Sequence, residues 1–189
     1  MKKTFDRTAH FFIDGPNIDA TLGTEILERK PQPAERPRWD RVRDVAHAHY
    51  QVGRLCFVLN GDTFDYQRSP FYRALKHMGY NVATPSSEDW CKAEGDDPVD
   101  EFIKGQLQRL VPLVKKGEVA GVLIATHDHG YAAALGEILA GGGYVYVVGF
   151  KELMAPAIVD LRDKGAVLLD LQHDFCAFDA GPDRPRFAA

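Results

Sequence analysis

Short runs of apolar residues recur along the chain, and most of them end in an acid or in a turn residue. Continuous apolar runs that turn residues bound are typical of strands buried on both faces of a parallel sheet. Between the runs, apolar residues return every three or four positions, which predicts amphipathic helices. The predicted strands are 11–13, 54–59, 80–84, 120–125, 144–148 and 166–170.

Helix boundaries follow from capping residues, prolines and glycines. Ser69 before Pro70 and Asp97 before Pro98 each place a capping side chain before a first-turn proline. Asn17 is predicted to cap the helix that follows the first strand. The predicted helices cover about 18–28, 39–49, 70–78, 98–110, 131–140 and 153–161.

This alternation of strands and helices predicts an α/β protein. We expect a single three-layer domain with a mainly parallel sheet of about six strands and helices on both faces. The domain is predicted to span residues 1–171. Residues 172–189 lack periodicity, and we expect them to form a C-terminal tail that wraps the surface or is mobile.

The composition argues against some classes of function. The chain has 189 residues, of which 45% are hydrophobic and 26% charged, and its net charge is −4. This balance gives no overall attraction for nucleic acid, and no apolar run is long enough to span a bilayer. Three cysteines without CxxC spacing favour reduced thiols and a cytoplasmic protein. A local basic patch between residues 29 and 43 could still contact phosphates; its candidate substrate-binding residues are Arg36, Arg38 and Arg41.

Acidic side chains gather at the predicted carboxyl edge of the sheet, where open parallel sheets bind ligands. Asp14 follows the first strand, Asp128 follows the fourth, and Asp100 lies near the start of the helix before the fourth strand. Two carboxylates about 5 Å apart repel by roughly 3 kcal/mol at an effective dielectric of 20. A protein can protonate one of them or bind a divalent cation, and hard oxygen ligands indicate Mg²⁺ or Mn²⁺. Such a cluster therefore predicts metal-assisted phosphoryl chemistry.

Three motifs follow one another along the chain: Ile-Asp-Gly-Pro-Asn, then Val-Asp at the head of a helix, then a strand that ends in Ile-Ala-Thr-His-Asp-His-Gly-Tyr. In this order they resemble the NYN domain, a group of PIN-like nucleases that includes the bacterial LabA-like proteins. The resemblance covers residues 11 to about 170. It implies a PIN-like fold and a metal-dependent endoribonuclease that cleaves RNA, and it leaves a homo-oligomer open.

The resemblance also implies roles for individual residues. Asp14, Asp100 and Asp128 would hold the metal, with Asp97 as a further ligand. Asn17 and Thr126 would orient a water or a phosphate oxygen. The implied catalytic residues are thus Asp14, Asn17, Asp100, Thr126 and Asp128. The second acid of the last motif is Gly130 here, which leaves the site one ligand short unless Asp62, Asp96 or Asp97 replaces it. Tyr66 or Trp90 could stack on a base.

Three other readings stay open at this stage. His127 and His129 could share one face of a strand end and bind zinc, although zinc wants three or four ligands. A nucleotide-binding enzyme fits the fold class, but the sequence contains neither GxGxxG nor GxxxxGK[ST]. Gly130 favours a non-catalytic RNA-binding or protein-interaction module with a degenerate site.

Overall fold

The structure is a computed structural model that describes residues 8–63, 65, 69–91, 93 and 95–182. Within these residues six strands form one sheet, in the order β3-β2-β1-β4-β5-β6, and all neighbouring pairs are parallel. This confirms the predicted α/β domain with three layers. The strands are β1 (Ala9–Asp14), β2 (Val52–Val58), β3 (Asn81–Ala83), β4 (Gly121–Ala125), β5 (Tyr144–Gly149) and β6 (Val167–Asp170).

Helices connect the strands and cover the sheet. The α-helices are α1 (Gly15–Thr21), α2 (Trp39–Tyr50), α3 (Pro70–His77), α4 (Ser87–Trp90), α5 (Pro98–Lys115), α6 (Ala132–Ala140) and α7 (Pro156–Val159). A π-helical segment, Leu22–Ile26, continues α1. Short 3-10 segments occur at Pro33–Glu35, His129–Tyr131, Lys151–Leu153 and Asp160–Lys164. No described helix has the length and apolar character that a membrane crossing requires.

The two faces of the sheet bury separate apolar cores. Successive residues of a strand point to opposite faces, so Phe11 and Ile13 enter one core while Phe12 enters the other. Side chains of α1, α2 and α3 fill the first core, and side chains of α5, α6 and α7 fill the second. The apolar periodicity in the sequence therefore marks the inward face of each helix.

Two predicted helices differ from the structure. The first begins at Gly15, because the Asp14 side chain accepts a hydrogen bond from the Asn17 backbone N–H and Pro16 stands in the first turn. Asp14 is therefore the cap, and the prediction of Asn17 as cap is wrong. The predicted helix over 153–161 is broken into α7 between two 3-10 segments. Pro156 explains the start of α7, since the residue before a proline is disfavoured in helical conformation.

The segment after β6 packs into the first core. Phe175 is fully buried, stacks on Tyr50 at a centroid distance of 5.7 Å, and lies 6.2 Å from the ring of Phe11. Phe178 packs on Phe150 at 6.1 Å. This segment therefore joins the core that side chains of α1, α2 and α3 also fill. Packing therefore continues past the predicted boundary at residue 171; residues 183–189 lie outside the described part of the chain.

The strand order creates a crevice at the carboxyl edge. β1 pairs with β2 on one side and with β4 on the other. The chain leaves β1 toward α1 on one face and leaves β4 toward α6 on the opposite face. Parallel sheets bind ligands where such neighbouring connections diverge.

Candidate active site at the carboxyl edge of β1 and β4

Three separate elements bring acids to this crevice. Asp14 is the last residue of β1, Asp100 lies in the first turn of α5, and Asp128 caps the 3-10 segment that follows β4. Asp14 is 2% exposed, whereas the side chains of Asp100 and Asp128 are 25% and 26% exposed. The site therefore has a buried floor and an accessible rim.

The Tyr131 hydroxyl joins two of these acids. Its oxygen lies 2.9 Å from Oδ2 of Asp14 and 2.6 Å from Oδ1 of Asp100. A phenol has one proton to donate, so it cannot donate to both carboxylates. Two full hydrogen bonds require a protonated carboxyl group that donates to the tyrosine oxygen. One additional proton is therefore needed before both Asp14 and Asp100 can form a hydrogen bond with the Tyr131 hydroxyl.

Burial makes Asp14 the acid that takes up this proton. The pKa of Asp14 is raised from 3.8 to about 7, chiefly because burial removes its hydration and in smaller part because of the charges of Asp100 and Asp97. Hydrogen bonds from the Asn17 backbone and from Tyr131 oppose the rise. Burial also raises the pKa of Asp100, and the neighbouring charge of Asp128 adds to that rise. Asp14 is consequently near its midpoint of ionisation at neutral pH.

A tight turn holds Asp128. Its backbone N–H donates to Thr126 Oγ1 at 3.1 Å, and its Oδ1 accepts from the Gly130 N–H at 2.8 Å. The ring Nδ1 of His129 lies 3.1 Å from the same Oδ1. Thr126 is fully buried, and its hydroxyl holds this turn. Oδ2 of Asp128 has no hydrogen bond to the residues that the structure describes.

Asn17 also serves this turn. Its Oδ1 accepts from the His127 backbone N–H at 2.8 Å and lies 3.2 Å from the ring Nδ1. On the other side of the ring, Nε2 accepts from the Phe150 N–H at 2.8 Å, and the two rings stack. The ring is therefore a neutral Nδ1–H tautomer with both nitrogens engaged. The hypothesis of a zinc site at His127 and His129 gains no support from this geometry, because the His127 ring uses both nitrogens within the fold and the exposed His129 ring lies beside Asp128.

The remaining candidate acids have different surroundings. Asp97 caps α5 by accepting from the backbone N–H groups of Val99 and Asp100. Its charge raises the pKa of Asp14 and Asp100, so it belongs to the same cluster. Asp62 instead accepts from the backbone and hydroxyl of Ser87 at the start of α4, and Asp96 accepts from Ala93. These hydrogen bonds tie Asp62 to the start of α4 and Asp96 to the segment before α5.

The predicted phosphate-binding arginines are paired with acids of the same chain. Arg36 lies 3.2 Å from Asp19 along a groove of about 600 Å³ beside the π-helical segment. Arg38 bridges Asp40 and Asp179, and Arg41 also bonds Asp179. None of the ion pairs among the described residues links these arginines to the acids of the crevice.

Of the two candidate stacking residues, one is described. Trp90 packs edge-on against Phe102 of α5, with ring centroids 4.9 Å apart. It therefore fixes α4 on α5. Tyr66 lies outside the described residues.

Whether a divalent cation fits can be tested on the donors themselves. Asp14, Asp100 and Asp128 offer hard oxygens of the kind that Mg²⁺ and Mn²⁺ prefer. A bound cation would also compensate the negative charge of the acids around Tyr131, as an additional proton would. However, no group of three His, Cys, Asp or Glu side chains in the described part of the chain already has a metal-holding arrangement. The donor chemistry fits, and Asp100 and Asp128 retain accessible oxygens for a ligand.

Two residues of the site were missed by sequence reasoning. Tyr131 was matched only as the aromatic end of a motif, although a hydroxyl there reaches two acids. Lys104, four residues after Asp100, extends its ammonium to within 3.9 Å of Asp100 Oδ2. The spacing of Asp100 and Lys104 on a helix was the available signal, because residues four apart are neighbours.

Comparisons with known proteins support the fold alone. The sequence matches no protein-family profile and no curated protein. The structure is similar to that of VPA0982 from Vibrio parahaemolyticus, a protein of unknown function, with a TM-score of 0.67 at 16% identity. The match covers 93% of this chain and 99% of that protein. The α/β domain therefore occurs as a complete unit in a solved structure.

Proposed function

We propose that this protein is a metal-dependent ribonuclease whose active site is the acidic crevice between β1 and β4. The observation that carries the proposal is the Asp14–Tyr131–Asp100 arrangement, in which two acids lie within hydrogen-bond distance of one tyrosine hydroxyl beside a third acid. Such a concentration of acids is unfavourable unless protons or a cation compensate it. RNA as the substrate rests on the resemblance of the motifs to NYN domains.

In this proposal Asp14, Asp100 and Asp128 hold Mg²⁺ or Mn²⁺, with Asp97 close by. A bound divalent ion would supply positive charge to the scissile phosphodiester and activate water. Tyr131 keeps Asp14 and Asp100 at a set separation through its hydroxyl. Asn17 and Thr126 orient Asp128 indirectly, since they fix the turn from Thr126 to Asp128.

A second candidate is an RNA-binding module without catalysis. The observation that favours it is the corner next to Asp128, where Gly130 offers no carboxylate and the Lys104 side chain lies alongside. A lysine there compensates part of the acidic charge without a metal. The same experiment separates the two candidates.

The first experiment measures cleavage of labelled single-stranded RNA in Mn²⁺, in Mg²⁺ and in EDTA. We expect cleavage in the metals only, and we expect Asp14→Asn to reduce the rate by about 100-fold or more, as for loss of one preorganised charged group. Asp179→Asn is the matched control, because it makes the same chemical change on an exposed acid of another surface.

Two outcomes would count against the nuclease. Full activity in both Asp14→Asn and Asp128→Asn would show that the crevice is not the active site. Metal-independent RNA binding by a protein that cleaves nothing in either metal would favour the binding module.

A further inference from the structure

The space beside Gly130 is filled by another residue. Gly130 lies in the 3-10 segment His129–Tyr131, and its φ is outside the left-handed region, so the backbone does not demand glycine. A Cβ at this position would lie 3.3 Å from Cε and 3.6 Å from Nζ of Lys104, and 3.4 Å from Oδ1 of Asp128. Glycine therefore leaves the room into which the end of the lysine side chain extends.

Lys104 reaches this corner from α5. Its ammonium lies 3.2 Å from Oε1 of Glu101 and 3.9 Å from Oδ2 of Asp100, one helical turn away. The side chain is 32% exposed, so the charge is accessible at the rim of the crevice. The ion pairs among described residues that involve the crevice acids Asp100 and Asp128 are those with Lys104 and His129.

The contacts leave the ammonium able to bind an anion. An ammonium has three N–H donors, and among the described residues that of Lys104 makes one hydrogen bond, to Glu101. The pair with Asp100 is longer than a hydrogen bond. Both pairs are partly exposed and therefore weak. A substrate phosphate entering beside Asp100 and Asp128 would be repelled by these acids, and a nearby compact positive charge offsets that repulsion.

We propose that Lys104, whose ammonium lies beside Gly130 and Asp128, binds a phosphate oxygen of the substrate. This inference rests on the proposed function for the location of the substrate. Lys104 would supply, from the protein itself, positive charge on the side of the phosphate next to Asp128. The phosphate contact does not depend on whether the bond is then cleaved.

The test compares Lys104→Met with Lys115→Met, a lysine at the far end of the same helix. Affinity for a short fluorescein-labelled oligouridylate is measured by anisotropy in EDTA and in Ca²⁺, over a range of salt concentrations. We expect Lys104→Met to weaken binding about tenfold and to reduce the slope of log K against log salt by about 0.7, the value for one phosphate contact on a single strand. Lys115→Met should change neither quantity, and Lys104→Arg should retain most of the slope.

A second readout excludes a purely structural role. Mn²⁺ binding to each variant is measured by calorimetry without RNA. We expect Lys104→Met to bind Mn²⁺ at least as tightly as the parent protein, because a cation next to the acids is removed. Weaker Mn²⁺ binding together with weaker RNA binding would mean that Lys104 only shapes the site, which would overturn the inference.

A third variant keeps the charge but moves it. Gly130→Ala places a methyl group against Lys104 and Asp128 at the tight distances given above. We expect it to weaken RNA binding several-fold while Lys104 remains in the chain. Affinity equal to that of the parent protein in Lys104→Met would overturn the inference.

The outcomes separate this inference from the proposed function. If the parent protein cleaves nothing but Lys104→Met weakens RNA binding with the smaller salt slope, the phosphate contact stands and the nuclease falls. If cleavage requires metal and Asp14 while Lys104→Met matches Lys115→Met, the nuclease stands and the role of Lys104 falls. If the parent protein does not bind RNA in any condition, both fall.

Discussion

Two charged regions of this molecule have opposite balances. Between residues 29 and 43 the chain is rich in arginine, and its arginines pair with acids at the surface; for example, hydrogen bonds from Arg38 lower the pKa of Asp40 and Asp179. In the crevice between β1 and β4, acids crowd together and the pKa of Asp14 and of Asp100 is raised. The charges of the arginine-rich region are compensated by neighbouring acids, whereas the acids of the crevice lie mainly beside other acids.

The comparison shows that an excess of charged residues in a sequence is a poor indicator of a site. The arginines are the more conspicuous feature of the sequence. However, ion pairs between exposed arginines and exposed acids contribute little to stability. The acids are fewer, yet burial places them where their repulsion is weakly screened. Uncompensated charge, which only the folded chain reveals, is the better guide to function.

The largest effect expected from this difference concerns Asp14 and pH. Because the pKa of Asp14 is about 7 in the folded protein and 3.8 as its ordinary value, the folded state binds the extra proton between these pH values. The stabilisation that comes from this proton is therefore complete below about pH 4 and is lost as the pH rises through 7. The total loss is about 4 kcal/mol of unfolding free energy. Asp14→Asn, which resembles the protonated acid, should abolish this loss.

Urea unfolding of both proteins at pH 5 and at pH 8, in EDTA, tests this expectation. The variant should exceed the parent protein in stability at pH 8 by a larger margin than at pH 5. Equal pH dependence in the two proteins would show that Asp14 ionises normally. Mg²⁺ added to the parent protein at pH 8 should restore stability if the acids bind the ion, since a ligand of the folded state stabilises it.

A smaller effect is expected for Tyr131→Phe. The ring is fully buried, so phenylalanine keeps the packing but removes the hydroxyl between Asp14 and Asp100. Loss of a buried donor between two acceptors should cost about 1–3 kcal/mol of unfolding free energy. Urea unfolding at pH 7 measures this cost. Tyr144→Phe is a suitable control, because its hydroxyl makes one long bond of 3.3 Å to the Tyr50 carbonyl; an equal loss in both variants would mean that the carboxylates are not the cause.

The smallest effect is expected on the basic side of the comparison. Asp179→Asn removes the partner shared by Arg38 and Arg41. Because all three side chains are at least 39% exposed, solvent and salt screen their pairs. The urea midpoint should stay within experimental error of the parent value at physiological salt. A clear loss of stability would show that this arginine cluster is a structural element and would weaken the contrast with the crevice.

Several elements of the fold follow directly from local sequence. Apolar runs such as 120–125 and 144–148 predict buried strands, and Ser69 and Asp97 mark helix starts that the structure confirms. These features depend on neighbours within a few positions. The core position of Phe175 does not, since it depends on contacts with Tyr50 and Phe11, which are distant in the sequence.

In the candidate site, too, some features follow from local sequence and others depend on residues that are distant in the sequence. The sequence by itself placed Asp14, Asp100 and Asp128 at element ends that meet at the carboxyl edge, because strand direction and alternation impose that meeting. Only the tertiary structure decided that Asn17 and Thr126 hold the turn of Asp128, that Tyr131 bridges two acids, and that Lys104 extends beside Gly130. The physical reason is that burial and hydrogen-bond partners, which set the charge state and reach of each side chain, come from residues distant in the sequence.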